Sequence, residues 1–343
     1  MSTTLSEPAA ASAPYTPPPG LRIYSGFVVG AVLFLITVGA LVTSHEAGMT
    51  VPDWPTSFHQ NMFTFPYQKW VGGIFYEHSH RLVASGVGLL TVVLAIWMGV
   101  RESRRWLRNL GFVALGLVIL QGVVGGLRVV WRLNDFGIPH AVLGQLFLVV
   151  TGLIALAYTG SWLTPPPHAE RLPRRWQRGI HLVAGLIFIQ LILGAVMRHQ
   201  HAGLSIPDFP TAYHHFWPHV NKANLPEINA ARAAAGQAPT TIMQIHLQMT
   251  HRMLAYIIFF GVVFCGLAVL RCRQSPDVLR NLAVFWLFLI FMQIALGAAV
   301  IWSGKSPLVA TLHVVTGAAL LLTGSTMAAL VSRWRRSAVA VEA

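Results

Sequence analysis

Two short motifs hold residues able to do chemistry. Tyr76-Glu77-His78-Ser79-His80-Arg81 stands at the mouth of one long uncharged run, and Leu247-Gln248-Met249-Thr250-His251-Arg252 at the mouth of another. In each, a polar residue (Glu77, Gln248) precedes the second-to-last residue, a histidine, by three positions, which on a helix of 3.6 residues per turn puts the two on one face. Ionisable groups at membrane depth are costly and therefore mark candidate sites. Two more histidines open runs of the same kind, His140 in His140-Ala141-Val142-Leu143-Gly144 and His313 in His313-Val314-Val315-Thr316-Gly317. The second, fourth, sixth and eighth runs all cross in one direction, so His80 lies at the depth of His140, and His251 at that of His313. Two facing imidazoles at one depth are what axial ligation of a haem iron requires. One turn deeper come Ala84, Gly144, Ala255 and Gly317, small enough to leave room for a flat macrocycle, although small residues also serve ordinary close helix contact. The plainer reading of each histidine is a hydrogen bond to a neighbouring helix.

The two halves differ where chemistry would differ. Glu77 is replaced by Gln248. A carboxylate beside a haem edge relays protons or stabilises developing positive charge, and an amide does neither well. Catalysis is therefore expected in the first half, with a structural or electron-transfer haem in the second. Arg81 and Arg252 are suited to haem propionates; as interfacial anchors, or in a Glu77–Arg81 pair at i,i+4, they would be structural instead. His78 sits about 200° round the helix from His80 and faces elsewhere, and His246 is off the face of His251. A spacing such as His199-x-His201 with His214-His215 suits a metal ion, but has no acidic or cysteine partner at fixed spacing. No phosphate loop, zinc-protease helix or nucleophile elbow is present.

The elements that must position these residues follow from composition. The chain has 343 residues, 55% hydrophobic and 10% charged, where a soluble chain carries roughly 25% charged residues. Its charges delimit eight long uncharged runs, 23–44, 82–100, 109–127, 136–169, 179–197, 253–270, 281–304 and 306–332. A helix needs about 20 residues to cross a hydrocarbon core, and runs this continuous predict helices rather than barrel strands. The expected fold is an all-α integral membrane protein with eight transmembrane helices. Met1–Gly20, rich in Ala and Pro and without a basic leader, is read as a tail and not as a cleaved signal. Lys and Arg crowd the loops after even-numbered spans (Arg101 to Arg108, Arg171 to Arg178, Arg271 to Arg280) and the C-terminal tail, which places both termini on the cytoplasmic side. The net charge of +13 is largely this topology signal, and no soluble basic surface for nucleic acid is visible. Cys265 and Cys272, two helical turns apart, predict neither a disulfide nor a thiolate metal site.

The chain also repeats itself. Gly39 through Thr56 recurs as Gly194 through Thr211; His80 recurs as His251, Gln121 and Gly125 as Gln293 and Gly297, and His140 as His313. This predicts two four-helix-bundle repeats, parallel in the membrane because each has an even number of spans. The expected divisions are a disordered tail at 1–22, a first repeat at 23–165, a linker at 166–178, a second repeat at 179–332 and a tail at 333–343. The two longest connections, near 44–76 and 198–242, each begin with a Pro-Asp-aromatic-Pro turn signal and are expected to fold as lids. Within the second, 229–239 reads equally as a short helix or a flexible insert.

Taken together, Glu77-x-x-His80-Arg81, His140 with Gly144-Gln145, and His251-Arg252 with His313 in a duplicated eight-span chain resemble the haem A synthase family over roughly residues 25–332. In that family the C8 methyl of haem O is oxidised to a formyl group, giving haem A for cytochrome oxidase. The reaction runs by successive hydroxylations and loss of water from a gem-diol, with electrons from outside the protein. The resemblance implies that His80 and His140 flank the substrate haem, that Glu77 is the catalytic carboxylate, and that His251 and His313 ligate a haem b, with Arg81 and Arg252 beside the two haems. It also implies the haem O synthase and a membrane electron donor as partners, a homo-oligomer as an admissible state, and a bacterial cytoplasmic or mitochondrial inner membrane as locale. The first outer loop lacks the cysteine pair of some members, and Val42-Thr43-Ser44-His45-Glu46 replaces an Arg-Leu-Thr-like segment. Two other functions fit the same chain: a non-enzymatic di-haem cytochrome passing electrons from quinol to a partner, and a transporter with a repeated bundle.

Overall fold

The computed structural model describes residues 15–166 and 172–342. Among them, eight helices are long and apolar enough to cross a membrane. They are α1 Pro19–Ser44, α2 Gly73–Arg101, α3 Arg105–Val130, α4 Gly137–Leu156, α5 Arg174–His199, α6 Ile242–Arg271, α7 Asp277–Trp302 and α8 Pro307–Glu342. The protein is an all-α integral membrane protein. In hydrocarbon every backbone polar group must be satisfied within its own segment, and uncharged runs of this length do so only as helices.

The helices overrun the charges that delimit the runs. α6 starts eleven residues before the uncharged run, because Thr241 and Gln244 form a reciprocal cap: Thr241 Oγ1 accepts from the Gln244 amide at 3.2 Å and Gln244 Oε1 from the Thr241 amide at 2.9 Å. The histidines therefore lie inside their helices, three to nine residues from the start. Conversely, the run at 136–169 is not one helix. α4 ends at Leu156, a separate turn follows at Gly160–Leu163, and the prolines at 165–166 close the segment. The expected tail at 333–343 continues α8 as far as Glu342, and α1 begins at Pro19, a residue suited to the first helical turn. Residues 1–14 of the expected N-terminal tail and 167–171 of the expected linker lie outside the described residues.

α1 to α4 close into a ring in which each helix packs on the next and α4 returns to α1; α5 to α8 close in the same way. The rings meet along α1 and α4 on one side and α5 and α8 on the other. One core gathers around Leu94, Met98, Phe147 and Leu148, the other around Ile180, Val262, Trp286 and Trp334. The indoles in the second core are not left with bare donors: Trp286 Nε1 donates to the Leu320 carbonyl at 3.1 Å and Trp334 Nε1 to that of Ser161 at 2.8 Å.

The two long loops fold alike. Asp53 accepts from the Phe58 amide at 2.7 Å, the His59 amide at 2.8 Å and the Thr56 hydroxyl. Asp208 accepts from the Tyr213 amide at 2.7 Å, the His214 amide at 2.9 Å and the Thr211 hydroxyl. Burial pushes both carboxyls up, but these donors outweigh it and hold them below the usual carboxylate range. The segment left open at 229–239 resolves as the end of a helix, Leu225–Ala234, followed by loop. Its buried Arg232 donates to the carbonyls of Ala238, Leu204 and Ser205.

At the opposite end of the first ring, Glu102 is 2% exposed. It accepts from Arg104 Nε at 3.0 Å and the Tyr15 hydroxyl at 2.7 Å, while Arg104 also donates to the Ala157 carbonyl. Burial alone would push the Glu102 carboxyl up; the Arg104 and Tyr15 hydrogen bonds prevail and leave it at about 2, below an ordinary 4.5. A depressed folded-state value stabilises above the unfolded value and is lost as pH falls through the folded one. The cluster thus contributes fully above pH 4.5 and fades toward pH 2. Glu102→Gln should lower stability at neutral pH by about 1–3 kcal/mol, and the deficit against the parent should shrink in thermal melts run below pH 4.

Candidate functional site

A cavity of about 1100 Å³ runs through the outer part of both rings, and His80, His140, His251 and His313 all line it. It exceeds the roughly 300–1,000 Å³ of an ordinary small-molecule site. Each imidazole lies against a glycine of the helix just before its own. A Cβ placed on Gly39 of α1 would come within 3.0 Å of His80 Cε1, and one on Gly125 of α3 within 2.9 Å of His140 Cε1. In the second ring, Gly194 of α5 stands 3.5 Å from His251 Cε1 and Gly297 of α7 3.1 Å from His313 Cε1 by the same measure. A Cβ would crowd the ring at Gly39, Gly125 and Gly297, whereas at Gly194 it would sit in ordinary van der Waals contact.

The polar atoms of these rings are unusual too. Nδ1 of all four histidines is buried without a hydrogen-bond partner, a costly state unless the ring is committed to something else. The backbone beneath two of them is pinned, since Gln121 donates to the His140 carbonyl and Gln190 to the His251 carbonyl, each at 2.9 Å. Gln293 instead approaches His313 Nε2 itself at 3.4 Å. The ring centres of His80 and His140 are 6.4 Å apart with planes at 78°. An iron with a bond of about 2 Å to a nitrogen of each ring, plus the half-width of both imidazoles, spans about 6 Å between ring centres. The donor set, the spacing and the glycine cradles fit a haem held by two imidazoles.

Charge around the cavity is mostly positive. Among the described residues bordering it, Glu77 is the one carboxylate, facing Arg81, Arg128, Arg198, Arg232 and Lys305. Arg128 donates to Asn134 at 3.1 Å and passes so close to Gly48 that a Cβ there would meet Nη1 and Nη2 at 3.0 Å, while its Nε is buried without a partner. Arg198 of α5 reaches across to α1, donating to Ser44 Oγ at 2.6 Å and to the Ala40 carbonyl at 3.3 Å. A cationic mouth above two imidazole pairs suits a macrocycle with anionic side groups. Sequence reasoning missed Arg128 and Arg198 because neither has a counterpart arginine in the other repeat, where Val300 and Thr43 stand; the available signal was an arginine at the outer end of each span.

Glu77 and Arg81 do two jobs in the structure. Glu77 Oε1 pairs with Arg81 Nη2 at 2.9 Å, and its Oε2 accepts from the Val51 amide at 2.9 Å and the Thr50 hydroxyl at 3.0 Å. Arg81 also donates to the carbonyls of Asp53, Thr56 and Val51. The second ring repeats this anchor. Gln248 Oε1 accepts from the Ile206 amide at 2.6 Å, and Arg252 donates to the carbonyls of Thr211, Asp208 and Ile206. Glu77 and Arg81 nonetheless border the cavity, whereas Gln248 and Arg252 do not. Arg252, expected beside a haem, gives these hydrogen bonds to its loop, as Arg81 does to the first loop.

The remaining histidines separate. His78 is fully buried away from the cavity, its Nδ1 at 3.0 Å from Ser57 Oγ and its ring against Phe65 and Trp70. His199 and His201 border the cavity mouth while His214 and His215 do not. Among the described residues, no group of three His, Cys, Asp or Glu side chains converges as a metal site would require. Ala84 and Gly144 line the cavity, but Ala255 and Gly317 do not; Gly317 makes room for Leu191 and Gln293 instead.

A Cβ on Gly125 would strike His140, so Gly125→Val should displace that imidazole. If each imidazole pair holds a haem, the haem retained at His80 and His140 should fall at least tenfold while that at His251 and His313 stays, read from the absorption of the purified variant.

The chain is similar to curated proteins named heme A synthase. One from Exiguobacterium sibiricum is 26% identical over 304 residues, covering 85% of this chain and 89% of that protein. One from Caulobacter sp. (strain K31) is 26% identical over 343 residues, covering 90% and 95%, and one from Geobacillus kaustophilus 25% identical over 332 residues, covering 93% and 94%. The family model described as COX15-CtaA, cytochrome oxidase assembly protein, matches residues 22–325. Eight apolar helices, paired imidazoles across one cavity and a match of that extent lead to one conclusion: the chain belongs to the COX15-CtaA family of cytochrome oxidase assembly proteins.

Proposed function

We propose that the chain is a haem A synthase, oxidising the C8 methyl of haem O to a formyl group and so supplying haem A to cytochrome oxidase. The observation that carries this reading is the asymmetry of the cavity. Both rings present an imidazole pair to it, but only the first brings a carboxylate, Glu77, to its wall. His80 and His140 hold the substrate haem, and His251 and His313 hold a haem b. Bound there, the haem irons supply the electron exchange. The chain's own residues hold and orient: the glycines opposite each imidazole set the ring position, and Arg128, Arg198 and Arg81 face the propionates. Glu77 takes or returns a proton at the carbon being oxidised, while Arg252 holds the second loop.

The division into repeats at 23–165 and 179–332, joined by 166–178, is part of the same proposal. It is supported by two closed rings, two Asp-centred loops and four Gly–His contacts at matching positions. The Lys and Arg distribution supports both termini on the cytoplasmic or matrix side of a bacterial cytoplasmic or mitochondrial inner membrane. Haem O synthase and a membrane electron donor are the partners this reaction calls for.

One observation favours a second reading, a non-enzymatic di-haem cytochrome. The His80 and His140 ring centres stand 6.4 Å apart, and two imidazoles holding one haem would suit electron transfer. Membranes containing the chain and a supply of haem O separate the two. A formyl-bearing haem in the extract is the expected result; unchanged haem O with haem b alone would leave the cytochrome.

A further inference from the structure

The cavity also touches a second face of two helices, turned away from the imidazoles. On α4, Val142 and Gln145 lie about 140–200° round from His140, yet both border the cavity. On α5, Phe188, Ile192 and His199 lie about 120–160° round from Gly194 and border it too. α4 and α5 pack together where the two rings meet, so these faces enclose a crevice between the rings. At its outer end the His199 ring lies so close to Gly137 that a Cβ there would collide with it. Leu146 and Ile189, next round on each helix, are 37% and 47% exposed, so the crevice opens sideways to the bilayer.

Its polar groups stand at two levels. His199 is at the top. Gln145, eight residues or about 12 Å of helix below Gly137, is 8% exposed and leaves Oε1 buried without a partner. Val142 and Ile192 border the space between those levels. The related crevice between α8 and α1 is shut. By the repeat offsets, Gln145 corresponds to Ala318, His199 to Ser44, Phe188 to Leu33 and Ile192 to Thr37, and none of these counterparts borders the cavity. Ser44 Oγ accepts instead from Arg198 at 2.6 Å and from Thr311 at 3.1 Å, and Ala318 is wholly buried.

We propose that the crevice between α4 and α5 binds a membrane quinol, the electron donor of the reaction, with its ring between His199 and Gln145 and its tail in the bilayer. Two side chains reaching toward each other across that interval leave the length of a six-membered ring with an oxygen at each end, hydrogen-bonded at both. An apolar slot open to lipid admits a ligand dissolved in the membrane. The buried Gln145 carbonyl then accepts from a hydroxyl, which removes the cost of leaving it unpaired. The crevice joins the cavity that both imidazole pairs line, so no packed core separates the ring from a haem held there. The quinol gives up two electrons and two protons and leaves as quinone. The electrons reduce two ferric haem irons, one each, and the protons leave one after the other through His199 to the outer mouth. The proposal rests on the haem A synthase reading, and it names the class and the seat of the donor.

The test uses full-length, haem-loaded protein without oxygen, with a short-tailed benzoquinol as probe and haem reduction followed by absorption. The parent should be reduced by the quinol and should retain the oxidised benzoquinone in equilibrium dialysis. Gln145→Leu and His199→Ser should each slow this reduction at least tenfold and weaken quinone binding as much. Haem per chain, melting temperature and reduction by dithionite should stay at the parent's values. A parent that the quinol does not reduce, or variants reduced at the parent's rate, would overturn the site. So would a parent reduced by a soluble iron–sulfur protein alone. If the variants fail to accumulate, photolabelling of the parent with an azido-benzoquinone decides: labelled peptides should come from α4 or α5, and label confined to other helices refutes the proposal. Formyl-bearing product made without any quinol would sink the site and spare the proposed reaction. Haem reduced by the quinol with no formyl product would do the reverse.

Discussion

Glu77→Gln is expected to leave both haem sites filled and to slow oxidation of haem O by about 10²–10⁴, the scale of a lost general base. The protein contains its own control for this substitution. Gln248 occupies the equivalent place and still holds its loop, accepting from the Ile206 amide at 2.6 Å and donating to the carbonyls of Gly203 and Ile206. A glutamine at 77 can therefore keep the anchor on Val51 while losing the charge that faces the cavity. Haem content and melting temperature should stay near the parent's, and formyl-bearing product should all but vanish from the extract. Loss of haem together with activity would assign Glu77 to the loop anchor it shares with Arg81 and not to the chemistry.

His251→Ala should empty the second ring of haem b, with affinity falling at least about 100-fold, since loss of a mere outer-shell partner already reaches 10–100-fold at metal centres. Its ring sits against Gly194 with an unpartnered Nδ1, so truncation removes a ligand without breaking a hydrogen bond of the fold. Product formation should fall as sharply if, as proposed, that haem passes electrons onward, while haem O stays bound at His80 and His140. Difference spectra of the reduced and oxidised variant, with haem extraction, check both halves of this expectation. Retained haem b would remove His251 from the ligand set.

How far the sequence reached can be traced residue by residue. Charges alone located the eight spans, because a helix in hydrocarbon tolerates few of them. They could not locate helix starts: α6 begins at the Thr241 cap, where the first turn stands among polar residues. Nor could absence of charge show that the run at 136–169 breaks after Leu156. The four histidines were legible from type, depth and duplication. Their cradles were half legible. Gly39 with Gly194 and Gly125 with Gly297 stand out as repeated residues, but contact with an imidazole on the next helix depends on how helices rotate against each other, which periodicity does not fix. Sequence position alone points instead to Ala84, Gly144, Ala255 and Gly317, of which two line the cavity. Arg252 reads as a haem contact because its carbonyl partners lie in a loop 41 to 46 residues away, beyond any local pattern.

The central claim is that each ring clamps one haem between its two imidazoles. It is tested most directly by the haem-to-protein ratio of the purified chain, with the identity of each haem, in the parent and in the paired variant His80→Ala with His140→Ala. The parent should hold two haems per chain, and the variant one, haem b alone. An unchanged ratio in the variant, or a parent that binds no haem at all, would contradict it.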